Sequence, residues 1–219
     1  MREAFHDQLE SMFTDLTTMA LSVETAVHRA TQALLTGDAF TAEQVISDDI
    51  EIDRARERLE DNAYSLLSLQ QPVAGDLRTL IAALRMVTEL ERMGDLSVHV
   101  AKIARLRVPH LAVPDEVRPI ISGMADVAED MVRRVARIII ERDVEAALTL
   151  HEVDEQMDYL RRTSFTELLS SDWAHGVEAA VDVALLGRYY ERIADHAVSV
   201  ANRVVFVVTG EHPFSVEAR

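Results

Sequence analysis

The strongest constraint on the fold is an internal repeat, because two stretches of the chain each recur once at nearly the same separation. Residues 38–53 align without gaps on residues 143–158, which lie 105 positions later. Residues 91–95, Glu-Arg-Met-Gly-Asp, align on residues 191–195, Glu-Arg-Ile-Ala-Asp, 100 positions later. The five-residue difference falls between the two stretches, where a turn can absorb it. The sequence therefore predicts one structural unit that has been duplicated.

Each unit is predicted to contain three helices, because apolar residues recur every three or four positions through long stretches. The chain has only 7 Gly and 5 Pro in 219 residues, too few for the many turns of an all-β fold. We expect an all-α protein of six long antiparallel helices that form two three-helix bundles in tandem. The periodic stretches run approximately over residues 2–35, 38–70, 73–107, 117–138, 143–171 and 177–208.

Breaks in the pattern place the turns and the domain boundary. Asp38 is a suitable N-cap for the second helix, and Pro72 ends that helix because the residue before proline avoids the α conformation. Three prolines fall within residues 108–119, a stretch that is typical of a linker between units. We therefore predict one bundle over residues 1–108 and a second over residues 109–219.

Composition excludes several classes of function. The net charge is −16, which repels nucleic-acid phosphates, anionic lipid and free phosphate, and favours cations or basic protein surfaces. The chain has no cysteine, so disulfides, thiolate zinc sites and cysteine nucleophiles are excluded. Residues 1–10 do not resemble a signal peptide, and the apolar run at residues 204–208 is too short to span a bilayer. We expect a cytoplasmic protein without membrane insertion.

The most informative polar residues are four pairs of carboxylates at i, i+4 spacing. Residues four apart share one face of a helix, where like charges destabilise it by a few tenths of a kcal/mol. A sequence that does this four times, at equivalent places in both halves, is expected to have a neutralising partner. The pairs are Asp49 with Asp53, Glu91 with Asp95, Asp154 with Asp158, and Glu191 with Asp195.

Spacing predicts that the two pairs of each half face each other. The second and third helices must run antiparallel across the turn at Pro72, and residues equally far from a turn lie level in such a hairpin. Asp53 and Glu91 are both 19 residues from Pro72, and Asp49 and Asp95 are both 23 residues from it. The pairs of the second half are centred on its predicted turn in the same way. Four carboxylates should therefore meet in each half.

Two interpretations of these clusters remain open. Carboxylate oxygens are the ligands that hard cations such as Mg, Mn or iron prefer, so each cluster is a candidate metal site. His99, one turn beyond Asp95, would add a nitrogen ligand in the first half only, since Ser199 occupies the equivalent place. Alternatively, arginines such as Arg92 and Arg192 neutralise the carboxylates in ordinary ion pairs.

These motifs resemble those of the PhoU family of phosphate-transport accessory regulators, and the resemblance covers nearly the whole chain. It rests on the repeated acidic motif at residues 91–95 and 191–195 and on residues 71–78, Gln-Pro-Val-Ala-Gly-Asp-Leu-Arg, at the start of the third helix. The aspartates of the second and fifth helices complete the duplicated pattern. The sequence departs from the family at residues 172–176, where the proline turn is not repeated.

The resemblance implies a function as well as a fold. It implies a cytoplasmic negative regulator of phosphate uptake and of the phosphate-starvation response. Such a regulator acts by contacts between a phosphate ABC transporter and a sensor histidine kinase, through which it is peripheral to the membrane. It implies no catalysis, and metal clusters on the acidic motifs occur in some members. A homodimer is compatible with this interpretation.

Two other classes of protein are alternatives to a binding regulator. A ferritin-like, carboxylate-bridged di-metal oxidase needs Glu-x-x-His on two helices, and the only such motif joins Glu3 to His6 at the N-terminus. A purely structural helical scaffold should continue its apolar heptads through Glu91 and Glu191, and this sequence does not. A P-loop and a nucleophile elbow are also absent from the sequence.

Overall fold

Six long helices account for almost all of the chain. The computed structural model describes residues 2–211, and side chains from Phe5 onward. No strand occurs within that part of the chain, so the all-α prediction is confirmed. The helices are α1 (Arg2–Thr36), α2 (Ala39–Gln70), α3 (Gly75–Arg107), α4 (Arg118–Glu141), α5 (Val144–Leu168) and α6 (Gly176–Thr209). None of these helices combines the length and the hydropathy needed to cross a membrane.

The helix ends follow from local chemistry, and they repeat between the halves. The Asp38 carboxylate accepts hydrogen bonds from the backbone N–H of Phe40 and Thr41 at the start of α2. Asp143 caps α5 in the same way, through the N–H of Ala146 at 3.0 Å. These side chains satisfy donors that the first helical turn leaves without partners.

The predicted end of the fifth helix, at residue 171, is three residues too late, since α5 ends at Leu168. The hydroxyl of Ser170 accepts a hydrogen bond from the N–H of Asp172 at 3.1 Å, which favours a turn over another helical turn. The indole of Trp173 then donates to the carbonyl of Gly176 at 2.9 Å and closes the loop before α6.

The two halves pack against each other through antiparallel helix pairs. Helix α1 packs on α4, and α3 packs on α6, while α2 covers α1 and α3, and α5 covers α4 and α6. Ion pairs fix the direction of the α1–α4 pair: Arg142 reaches Glu10 at 2.8 Å and Arg133 reaches Glu24 at 2.8 Å. Four central helices are thus flanked by α2 on one side and α5 on the other.

One continuous apolar core runs through both halves. Phe13, Leu16 and Met19 of α1 are fully buried, and Tyr190 of α6 is buried with its hydroxyl 2.8 Å from that of Thr31. The methionines from Met12 to Met157 are all buried, as expected of core residues. Because the core is shared, the boundary between residues 1–108 and 109–219 stays a prediction.

On the third helix the apolar periodicity predicts that Leu77 and Ile81 point inward, and the structure leaves both exposed. Leu77 and Ile81 are each 40% exposed, although they continue the three-and-four spacing of the buried residues. At the start of α3 the apolar stripe is wider than the surface that the neighbouring helices cover. The sequence shows the width of such a stripe, and the packing of other helices decides how much of it is buried.

An arginine clamp joins the halves at the end of α3. Arg107 donates from Nε to Oδ2 of Asp182 on α6 at 2.5 Å and also contacts the carboxylate of Glu178. Asp182 is buried, so its charge depends on this partner.

We expect Arg107→Ala to lower the melting temperature by several degrees, because it leaves the buried Asp182 carboxylate without its counter-ion. Arg105→Ala is the matched control, since Arg105 pairs with Glu43 at 2.6 Å and both side chains are largely exposed. Differential scanning calorimetry measures both changes. Equal losses in the two variants would show that the clamp adds nothing to an ordinary surface pair.

Candidate cation sites

The first acidic cluster forms between α2 and α3 as the spacing predicts. Helix α2 supplies Asp49 and Asp53, and α3 supplies Glu91 and Asp95; all four side chains are partly buried. Burial raises the pKa of Asp49 to about 6, and the negative charges of Asp95, Asp53 and Glu91 add to the shift. Such mutual repulsion requires that the four groups lie close together.

Gly94 allows the two helices to approach at this level. A Cβ atom at Gly94 would lie 3.1 Å from Cδ1 of Ile52 and 3.4 Å from Oδ1 of Asp49. The absence of a side chain therefore leaves room for both α2 residues against α3. Ala194 is the equivalent residue of the second half, and it is buried.

Arginine neutralises the first cluster only loosely. Arg92 lies 3.7 Å from a carboxylate oxygen of Glu91 and 3.5 Å from one of Asp95, and its own side chain is mostly exposed. Arg56 lies 3.9 Å from Asp53 and makes its shorter contact, 3.1 Å, with Glu60. Burial raises the pKa of Glu91, and the negative charge of Asp95 raises it further, although these arginines oppose the shift.

The second cluster reproduces the arrangement between α5 and α6. Burial raises the pKa of Asp154 to about 6, and the negative charges of Asp195, Asp158 and Glu191 add to the shift. Burial also raises the pKa of Asp195, with Glu191 as the largest charged contributor. All eight predicted carboxylates therefore lie in two groups of four, within which their charges act on one another, as the duplicated sequence indicates.

The second cluster differs in having an internal counter-ion. Glu191 is only 8% exposed, and its carboxylate accepts hydrogen bonds from Arg161 at 2.7 Å and from Arg188. Thr88 is the first-half equivalent of Arg188. The ion-pair interpretation therefore describes Glu191 well and the first cluster poorly.

Sequence reasoning missed Arg161 and Arg188 and named Arg192 instead. Arg192 is exposed and makes no ion pair with any residue that the structure describes. A signal was available, because Arg188 precedes Glu191 by three residues, the spacing at which side chains on one helical face pair.

His99 lies away from the first cluster's α2 residues. Its ring stacks on Tyr189 of α6, with 5.3 Å between ring centroids and 24° between planes. A second contact joins the same helices, where Nδ1 of His196 lies 2.6 Å from Oε2 of Glu89. Because α3 and α6 run antiparallel in this register, Glu91 and Asp195 lie at the same level.

The two clusters consequently form one band of charge across α2, α3, α6 and α5, which we call the acidic belt. It comprises the carboxylates of residues 49, 53, 91, 95, 154, 158, 191 and 195. As the side chains stand, no three Asp, Glu or His groups among the described residues converge closely enough to enclose a metal ion. Coordination would therefore require side-chain rotation, and the predicted metal ligands, His99 included, stay a prediction.

We expect Asp49→Asn to raise the melting temperature by a few degrees at pH 7.5 in the presence of a chelator. The pKa of Asp49 is about 6 in the folded chain against an ordinary value of 3.8, so the folded state binds more protons between these values. Stability contributed by this group therefore falls as pH rises from about 4 to 6. The gain from Asn should shrink as the pH is lowered toward 4.

Asp48→Asn is the neighbouring control, because Asp48 pairs with Arg29 at 2.7 Å on the exposed side of the same helix. Thermal melts between pH 4 and 8 compare the two variants. A gain from Asp48→Asn that matches the gain from Asp49→Asn would contradict the proposed crowding, since net charge alone would then explain both.

Comparison with known proteins gives matches along the entire fold. The family model described as the PhoU domain matches twice, over residues 16–104 and 121–204. The chain is 48% identical to the phosphate-specific transport system accessory protein PhoU homolog 2 of Mycobacterium tuberculosis, over 97% of this chain and 100% of that protein. It is 46% identical to PhoU homolog 1 of Mycobacterium leprae, over 97% of this chain and 96% of that protein.

Solved structures agree with this result. The crystal structure of PhoU from Pseudomonas aeruginosa superposes with a TM-score of 0.88 at 26% identity, covering 94% of this chain and 100% of that one. The phosphate transport system regulatory protein PhoU from Streptococcus pneumoniae, at 23% identity and a TM-score of 0.85, shares the fold. The two matched repeats and the full-length relatives show that this chain belongs to the PhoU family.

Proposed function

We propose that this chain is the cytoplasmic accessory regulator of a phosphate-specific transport system, and that it represses phosphate uptake and the phosphate-starvation response when phosphate is abundant. The observation that carries the proposal is identity of 48% over the full length of a protein named as an accessory of that transport system. Identity at this level across both repeats supports a shared role more strongly than a shared fold does.

Protein–protein contact is the proposed means of action. The partners are components of a phosphate ABC transporter and a sensor histidine kinase, and self-association into a homodimer is compatible with this role. The strongly acidic chain favours basic protein surfaces over free phosphate as direct ligands. Catalysis is not part of the proposal, because the sequence has neither a P-loop nor a nucleophile elbow. The ferritin-like alternative is not favoured by the family relationship.

Deletion of the gene should leave phosphate-scavenging genes expressed in phosphate-rich medium, because the signal that reports sufficient phosphate would no longer reach the kinase. A reporter fused to a phosphate-starvation promoter measures this, with the wild-type gene restored in trans as the control. A reporter that stays repressed in the deletion strain, with no second family member in the genome, would contradict the proposed function.

We also propose that the acidic belt binds hard cations such as Mg, Mn or iron. The donor set fits such ions, since carboxylate oxygens predominate. Crowded, partly buried carboxylates of raised pKa are groups that a cation would stabilise in their charged form. The first cluster is the better candidate, because arginine occupies less of it than of the second.

Metal binding should raise the melting temperature, because a ligand that binds only the folded state stabilises it by about 2.7 kcal/mol at a concentration one hundredfold above its Kd. Glu91→Gln with Asp95→Asn should stabilise the metal-free protein and abolish the gain from metal. Melts with chelator and with Mg, Mn or iron test both points. If the double change lowers stability and no metal shifts the wild-type melt, arginine is the counter-ion instead.

A further inference from the structure

Both halves expose an apolar row at the start of the third helix. Within the helices the exposed residues follow each other at i, i+4 spacing, which places them on one side of the helix. Two of the three positions coincide when the halves are aligned 100 residues apart. The first apolar row is Leu77 and Ile81 of α3, with the exposed Val73 just before the helix, and the second is Val177, Val181 and Leu185 of α6.

Several neighbouring exposed apolar residues indicate a binding surface more strongly than one isolated exposed leucine does. Single exposed apolar residues are normal, but contiguous ones mark interaction sites. The core is continuous without these residues, so the fold does not need them. Like the acidic motif, these exposed apolar residues are present in both repeats.

Each row lies on the same side of its helix as the acidic motif that follows. Leu77 and Asp95 are 18 residues apart, which is five full helical turns, and the same holds for Val177 and Asp195. Because α3 and α6 are antiparallel, the two rows lie on opposite sides of the acidic belt along the helix axes. A ligand lying along α3 would meet apolar surface first and carboxylates about 15 Å further on, at a rise of 1.5 Å per residue from Ile81 to Glu91.

We propose that each apolar row and the adjoining half of the acidic belt form a docking surface for an amphipathic, basic helix of a partner protein. The partner's apolar side chains cover the row, and its Lys or Arg side chains two to three turns later pair with the carboxylates. This inference rests on the proposed function, since it gives the surface through which that contact-based regulation would act.

Charge selects this occupant over the alternatives. A second copy seated on the same face would bring two acidic belts together, each with eight carboxylates, and each chain carries a net charge of −16. An anionic bilayer is repelled for the same reason. A basic helix instead adds counter-charge to the first cluster, where Arg92 and Arg56 lie 3.5 to 3.9 Å from the carboxylates and Lys102 acts on Asp49.

A designed peptide tests the surface directly. The probe is a fluorescein-labelled 20-residue helix with leucines along one face of its first two turns and arginines on that face thereafter. Fluorescence anisotropy with the full-length chain, in chelator, measures binding. Leu77→Ser with Ile81→Ser, or Val177→Ser with Val181→Ser, should each weaken the affinity of its site about tenfold, and replacing the peptide's arginines by glutamate should abolish binding.

Leu21→Ser with Ile140→Ser is the matched control, because these residues are 48% and 47% exposed on α1 and α4, outside both rows. Circular dichroism checks the helix content of every variant, and the two rows give independent tests should one pair disturb folding. Equal weakening in rows and control, or none in the rows, overturns the proposal. A dimer seen by light scattering that the row changes dissociate also overturns it, since the occupant is then a second copy.

Complementation separates this inference from the proposed function. In the deletion strain, repression restored by the wild-type gene but not by the row variants supports both. Repression restored equally by wild type and row variants overturns the docking surface and leaves the regulatory function standing. If the deletion strain never loses repression, the proposed function fails, whereas the peptide measurements still decide whether the surface binds.

Discussion

The antiparallel contact between α3 and α6 is the constraint on which the rest of this structure depends. Side-chain contacts join the two helices along their length: Arg107 pairs with Asp182, His99 stacks on Tyr189, and Glu89 contacts His196. These contacts fix the register of the two helices that carry the repeated acidic motif. Two hairpins that would each present four carboxylates are thereby joined into one belt, and the two apolar rows lie on opposite sides of it along the helix axes.

The cost of this arrangement is electrostatic. Two unit charges 4 Å apart repel by about 4 kcal/mol at the effective dielectric of a protein surface, and each cluster contains four formal charges. Burial raises the pKa of Asp49 and of Asp154 to about 6 each, and this repulsion adds to both shifts. A large core shared by both halves supplies the stability that lets such crowding persist, and a cation or a basic partner would relieve it.

Duplication has preserved the backbone and changed the counter-ions. Both halves cap their second helix with aspartate and bring the same four carboxylates together. Arg188, where the first half has Thr88, binds Glu191 in the second half and leaves that cluster partly neutralised from within. The two clusters are therefore chemically unequal, and the aligned repeats carry that difference at one position, Thr88 against Arg188.

Local patterns were enough to predict the helices, the caps and the level of the carboxylates. Apolar spacing of three and four defines a helix within one segment, and Asp38 acts on its own neighbours. The facing of Asp49 with Asp95 needs only one antiparallel hairpin with a known turn, so counting from Pro72 was sufficient. The late end predicted for α5 reflects a side-chain bond, from the Asp172 N–H to Ser170, that competes with the helix.

By itself, the sequence determined two repeats of three helices with four level carboxylates in each, because these features arise from contacts within a helix or a single hairpin. Only the tertiary structure decided which faces are covered. Leu77 and Ile81 continue a buried pattern yet stay exposed, His99 stacks on Tyr189, and Arg161 rather than Arg192 binds Glu191. Each of these outcomes depends on how one helix packs against another, which the period of one helix does not specify.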